Sequence, residues 1–295
     1  MTKILRCFIF AIVFVNLLCI PTFANSNSIE PKTKCSIEIS CKTNEKVIAN
    51  LNISLHKLAD ISADGSYSLT QQFLKYKFDL NIKSQSGWDT LAKTVNSYVS
   101  ADKIKSTANG KTDKNGNVTF SNLEVGLYFI SSADDTFSPF IVSAPTLSNG
   151  SWNYNLKLCP KINTDNPENT SKKFRILKEW NDSPKNRPDS ICVDIYKDGK
   201  LFESVKLTAE KNWLYEWSSD EEHKWVAVER DVPSGYTVTI EQNKNTFIIT
   251  NTANSQSHNP YTGFTSDYRI LFIILTISGA VLLALGFLKV WRKNE

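Results

Sequence analysis

The chain of 295 residues lacks the short signatures that announce most enzymes. It has no glycine-rich phosphate loop, no nucleophile elbow and no metalloprotease helix, so nucleotide, acyl-transfer and zinc-hydrolase chemistry have no visible seat. Its three histidines, His56, His223 and His258, stand isolated along the sequence. Its six cysteines contain no CxxC pair and no Cys/His ligand spacing, so a zinc site is not expected, and no cofactor or metal is implied. An enzyme acting on an outside substrate is therefore the weaker reading. Charge of one sign is also scarce. The formal net charge is +4, but Lys3 and Arg6 lie in the first segment, and residues 263–295 carry four basic and two acidic side chains. The body between them is close to neutral, which removes the basic footprint of a nucleic-acid binder. Long apolar runs are confined to the two ends.

At the N-terminus, Lys3 and Arg6 precede an apolar run from Cys7 to Ile20, and Thr22-Phe23-Ala24 supplies small residues for a signal peptidase. Residues 1–24 are expected to be a secretory signal cut after Ala24, the run being short and wrongly flanked for a membrane anchor. At the C-terminus, Ile270 to Leu288 holds no charged side chain and is long enough for a transmembrane helix, expected over 269–289. Lys289, Arg292 and Lys293 follow, and residues 290–295 form a basic cytoplasmic tail. Upstream lies Asn259-Pro260-Tyr261-Thr262-Gly263. This pentapeptide resembles LPxTG, the sorting signal of sortase substrates, with Asn259 in the place of leucine. The resemblance implies cleavage between Thr262 and Gly263. A sortase cysteine would attack the Thr262 carbonyl, and an amine from a peptidoglycan precursor or another subunit would resolve the thioester. The membrane is then a partner only of the sorting precursor. The other reading is an ordinary single-span protein with a chance pentapeptide.

The body of about 240 residues suits two domains by the usual size prior. In residues 172–254, short alternating segments are broken by Lys197-Asp198-Gly199-Lys200, Pro233-Ser234-Gly235 and Asn243-Lys244-Asn245, which predicts an antiparallel sandwich. Five pieces in order resemble the Cna B-type domain, a prealbumin-like β-sandwich of stalk repeats and pilins. They are Lys178-Glu179-Trp180-Asn181-Asp182, Arg187-Pro188-Asp189-Ser190-Ile191, Asn212-Trp213-Leu214-Tyr215, Glu229 with Pro233-Ser234-Gly235-Tyr236, and Ile249-Thr250-Asn251-Thr252. The resemblance implies a self-formed isopeptide bond between the first and last strands, with Lys178 as amine, Asn251 as carboxamide and Glu229 as catalytic acid. Alternation independently sets Lys178 on one face with Phe174, Ile176 and Trp180. It does the same for Asn251 with Phe247 and Ile249, and for Glu229 with Trp225 and Ala227. Burial would lower the lysine pKa and raise that of the acid. The competing reading is a buried Lys–Glu pair with Asn251 capping a strand end.

Residues 25–162 are expected to form the first domain. Strands are predicted at Ser36–Ser40 and Leu51–Leu55. Trp88, Leu91, Val95, Tyr98 and Val99 then recur at helical spacing, as a helix packed on a sheet requires. Three later runs resemble the N-terminal domain of two-domain pilins of Firmicutes: Thr112 through Tyr128, Pro139-Phe140-Ile141-Val142-Ser143-Ala144-Pro145, and Trp152 through Leu158. The fold expected is mainly β, two tandem prealbumin/Ig-like β-sandwiches, the first with a helical insertion. Ser132 stands where the isopeptide pattern of that domain would place a glutamate. Cys35 and Cys159 occupy the places that Lys178 and Asn251 hold in the second domain. A Cys35–Cys159 disulfide is one reading, and free thiols buried as small hydrophobes is the other.

Lys161 ends a Leu158-Cys159-Pro160-Lys161 segment resembling the Tyr-Pro-Lys segment of backbone pilins, whose lysine attacks the next subunit's thioester. Lys161 is thus either the polymerisation acceptor or a solvated lysine before the polar linker 163–171. Residues 255–268 form a second linker carrying the sorting motif. These resemblances imply a structural subunit of a sortase-assembled pilus or wall-anchored surface protein, exported and covalently attached to the cell wall. Its expected partners are sortase, a peptidoglycan precursor, other pilin subunits and a host or matrix ligand. The alternative is a monomeric wall-anchored adhesin whose first domain binds that ligand.

Overall fold

The computed structural model describes residues 28–43, 46–163, 173–183, 187–219 and 221–254. The signal segment 1–24, most of the linker 163–171, the sorting motif 259–263, the apolar span 269–289 and the basic tail lie outside the described residues. Among the described residues no helix is long and apolar enough to cross a membrane. The described residues from 28 to 253 belong to one compact unit.

The first sandwich comprises strands β1 (Cys35–Ser40), β2 (Asn52–Ile61) and β3 (Tyr67–Leu69), helix α1 (Gln85–Asp102), and β4 (Ala108–Lys111). It continues through β5 (Asn117–Leu123), β6 (Gly126–Ser132), β7 (Phe140–Ala144), β8 (Thr146–Ser148), β9 (Ser151–Asn153) and β10 (Asn155–Leu158). One sheet runs β10-β1-β5, the other runs β3-β2-β6-β7 with β4 also on β2, and β8 and β9 pair as a separate hairpin. Ile37 and Ile39 of β1 face Ile53 and Leu55 of β2 and Tyr128 and Ile130 of β6 in one buried cluster. Each such aliphatic side chain contributes roughly 1.5–3 kcal/mol by leaving water.

The helix enters at an informative place. β3 pairs with Ala59–Ile61 and β4 with Asn52–Leu55, so the two share one edge of β2 in succession. The segment that leaves this edge between them carries α1. Ser84 caps it, its hydroxyl accepting the Gly87 N–H at 3.1 Å, and Lys103 ends it in the left-handed region. Leu91, Val95 and Tyr98 are buried as the spacing predicted, with Trp88 and Val99 packed partly buried beside them. β6 is buried along nearly its whole length because one face meets the other sheet and the other meets α1 and the aromatic group of Phe73, Tyr76 and Phe78.

The second sandwich comprises β11 (Lys173–Asn181), β12 (Ser190–Lys197), β13 (Lys200–Thr208), β14 (Leu214–Ser218), β15 (Trp225–Arg230), β16 (Tyr236–Asn243) and β17 (Thr246–Ala253). Its sheets are β14-β11-β17-β16 and β13-β12-β15. The predicted turns fall between strands. Asp198 and Gly199, both at positive φ, close the β12–β13 hairpin, and Lys244 at φ 52° closes β16–β17. First and last strands are parallel neighbours in both domains, β1 with β10 and β11 with β17.

The two sandwiches share α1. Among the described residues β15 and β16 each have a strand on one side only, and α1 packs along both. Leu91, Ala92, Val95 and Tyr98 therefore belong to the same buried cluster as Val228 and Ile240 of the second sandwich.

Candidate functional site

Alternation along three strands builds the site. On β11, Phe174, Ile176 and Lys178 are buried in turn; on β17, Phe247, Ile249 and Asn251; on β15, Trp225, Ala227 and Glu229. β11 and β17 lie side by side, with Lys178 level with Ile249 and Trp180 level with Asn251. Lys178 and Asn251 are thus diagonal neighbours on one face. Glu229 comes from the opposite sheet and meets them across the core.

The geometry is close. The Asn251 Nδ2 donates to Glu229 Oε1 at 2.8 Å, and Lys178 Nζ stands 3.9 Å from Glu229 Oε2. The side chains of Lys178 and Glu229 are fully shielded from solvent, and Asn251 is 0% exposed. Lys178 Nζ also donates to the carbonyls of Glu179 at 2.7 Å and Ile249 at 3.3 Å. It lies 4.1 Å from the centre of the Trp180 ring. Trp213 and Tyr236 pack edge-on against that ring, and elsewhere in the same core Phe174 and Phe247 stack on Trp217, which Trp225 meets edge-on.

This dry, aromatic setting acts on charge. Burial lowers the Lys178 ammonium from its ordinary 10.5, against the pull of Glu229, and burial raises Glu229 from its ordinary 4.5. Both shifts favour the neutral pair, an amine beside a carboxylic acid. Two buried oxygens, Glu229 Oε2 and Asn251 Oδ1, have no hydrogen-bond partner. Raised by burial, Glu229 holds a proton as a neutral acid beside the Asn251 amide, which makes it a proton donor as well as an acceptor there. The arrangement is chemically able to join an amine to a carboxamide.

Residues that the sequence did not assign to this site line the edges of the Glu229 strand and of β16. The Tyr98 hydroxyl donates to the Glu229 backbone carbonyl at 2.8 Å. The Thr94 hydroxyl accepts the Ile240 N–H at 2.8 Å. Arg230, next in chain to Glu229, bonds Asp102 at 2.9 Å, Asp194 at 2.8 Å and the Tyr196 hydroxyl at 2.6 Å. Tyr98 was visible only as a member of the apolar stripe. A threonine inside that stripe was the one local hint of a polar contact.

The remaining predicted positions separate. Lys161 is exposed, between Pro160 and a buried Ile162 that bridges Phe137. Asn163 fastens the same segment, its backbone N–H donating to the Thr136 carbonyl at 2.7 Å. Cys35 and Cys159 are not brought together, which goes against the disulfide, one of the two readings of these cysteines. The parallel register sets Ser36 against Asn155 and Ile39 against Leu158, so Cys159 follows the far end of the ladder from Cys35. At about 3.3 Å per residue they are roughly 16 Å apart along the strands, beyond disulfide reach. All four described cysteines are free, and burial pushes the Cys35 and Cys41 thiols up to about 11. Ser132 closes β6, buried, with no carboxyl at its position. Among the described residues no group of three or more His, Cys, Asp or Glu is arranged to hold a metal.

Residues 174–252 match the family model of the Cna protein B-type domain. A search of curated protein sequences returned no relative. Among solved structures, the chain is similar to a single B repeat unit of the collagen-binding surface protein Cna of Staphylococcus aureus. That match has 15% identity and a TM-score of 0.26, over 75% of this chain and 98% of that one. It is also similar to the full-length major pilin SpaD of Corynebacterium diphtheriae, with 17% identity and a TM-score of 0.31, over 77% of this chain and 66% of that one. A third is the minor pilin GBS52 of Streptococcus agalactiae, with 15% identity and a TM-score of 0.29, over 74% and 96%.

Proposed function

We propose that this chain, whose residues 174–252 match the model of the Cna protein B-type domain, is a structural subunit of a pilus or a wall-anchored protein on a Gram-positive cell surface. In this reading the second sandwich welds itself shut between Lys178 and Asn251. The neutral Lys178 Nζ attacks Asn251 Cγ, an Nζ–Cγ bond forms, and the Cγ–Nδ2 bond breaks. Glu229 carries a proton from the amine to the departing nitrogen, which leaves as ammonia. The carrying observation is the burial of all three side chains together, with Glu229 Oε1 already bonded to the leaving amide at 2.8 Å. The intact mass of residues 28–253 tests it. Wild type should be lighter than its sequence by one ammonia and Glu229→Ala should keep its full mass; a full-mass wild type ends the reading.

Attachment follows from the sorting motif. Thr262 would be the acyl donor to sortase, and the receiving amine belongs to peptidoglycan precursor or to another subunit. Lys161 is suited to the second role. It is exposed, and its segment is fastened by Ile162 and Asn163 rather than loose. Immunoblots of wall extracts should show a high-mass ladder that collapses in Lys161→Ala. A single wall-linked band would instead mean a lone anchored protein, the adhesin reading.

A further inference from the structure

The catalytic carboxyl sits on an incomplete strand neighbourhood. β15 hydrogen-bonds to β12 on one side, and among the described residues its other side has no strand. At a bare sheet edge, backbone groups turn to water or to a side chain. Here the edge is covered by α1, which belongs to the other sandwich. The Glu229 carbonyl is buried there, and its partner is the Tyr98 hydroxyl at 2.8 Å, from a residue only 2% exposed. Burial raises the Tyr98 phenol above its ordinary range, so the hydroxyl keeps the proton it donates. One residue further along β15, Arg230 reaches Asp102, in the last turn of the same helix, at 2.9 Å. Two successive residues of the strand are therefore held by α1, and the first of them carries the reacting acid.

We propose that Tyr98 is a positioning residue for the Lys178–Asn251 reaction: from the first sandwich it fixes the backbone from which Glu229 projects, so the weld in the second sandwich depends on docking of the first. This rests on the cross-linking reading above. The physical reason is geometric. Glu229 must hold both the amine and the departing amide at bonding distance, and small displacements of a reacting group cost large factors in rate. A side chain inherits the orientation of its own peptide unit. Without the Tyr98 hydroxyl, the Glu229 carbonyl is a buried acceptor without a donor, and the strand must move to find one.

The test follows loss of ammonia by intact mass during cell-free synthesis of residues 28–253, the compact unit, with folding checked by near-UV circular dichroism. Tyr98→Phe keeps the ring and removes the hydroxyl. Fully folded Tyr98→Phe should cross-link roughly tenfold more slowly or worse, with its pH–rate profile displaced on the limb governed by Glu229. Thr90→Ala, which removes only an exposed 3.0 Å contact to Glu241 at the same junction, should react at the wild-type rate. Wild-type rate and profile in folded Tyr98→Phe overturn the proposal, as does a slowing no larger than its unfolded fraction. Should Tyr98→Phe fail to fold, Asp102→Asn tests whether the hold of α1 on β15 governs the reaction: it loosens Arg230, slowing of a folded variant supports dependence on docking of the first sandwich, and a wild-type rate overturns that dependence. A wild type that never loses ammonia is a different result, since it removes the cross-linking reading itself.

Discussion

Lys178 and Glu229 in water would never be reactive together, because a lysine of 10.5 and a glutamic acid of 4.5 offer no pH at which amine and acid are both abundant. Burial pulls the first down and the second up, and so narrows the gap that keeps them apart in water. The rate of ammonia loss should therefore be bell-shaped in pH, rising as Lys178 gives up its proton and falling as Glu229 does. Synthesis across a pH series with mass detection checks this; a flat profile would remove Glu229 from the chemistry. The burial of each of these residues was legible in alternation alone, since each shares a face with large apolar side chains on its own strand. That the three faces meet was not, because register between β11 and β17 and the stacking of β15 over them are long-range facts. Cys35 shows the converse. Its place on the first strand was readable, but the direction of β10 beside it was not, and that direction puts Cys159 at the wrong end.

Among the elements, α1 is the least foreseeable. Its existence was plain from the spacing of Leu91, Val95 and Tyr98, and its amphipathic stripe suggested one sheet to cover. It covers two surfaces, because β15 and β16 leave an open side on the second sandwich. Thr94 shows what this closure requires: the Ile240 N–H, at a strand edge and buried, has the Thr94 hydroxyl as its partner. Thr94→Val keeps shape and branching but strands that N–H. The expected loss is about 1–3 kcal/mol, read as a lower denaturant midpoint with unchanged slope. The helix contacts of Tyr98, Thr94 and Asp102 were invisible in sequence because their partners lie more than a hundred residues away.

At the scale of the whole molecule, the weld would close a loop that contains nearly the entire second sandwich. By the entropy logic of long-loop cross-links it adds about 4 kcal/mol against unfolding. Glu229→Ala, unlinked, also leaves Lys178 buried without its acid, so thermal unfolding should fall well below that of the wild type. Calorimetry on residues 28–253 checks it, and equal midpoints for linked and unlinked protein would deny the bond a stabilising role. The shared core around α1 predicts in addition that both sandwiches melt in one transition.

The parallel pairing of first and last strands has a mechanical meaning. In each sandwich the chain enters along one strand and leaves along its immediate neighbour, running the same way. Tension applied at the two ends slides these strands past each other lengthwise, so their rungs resist together instead of parting one by one as in a zipper. In the second sandwich a covalent rung from Lys178 to Asn251 would carry the pull straight from the entering strand to the leaving one, and the rest of that sandwich would hang slack beside a taut line.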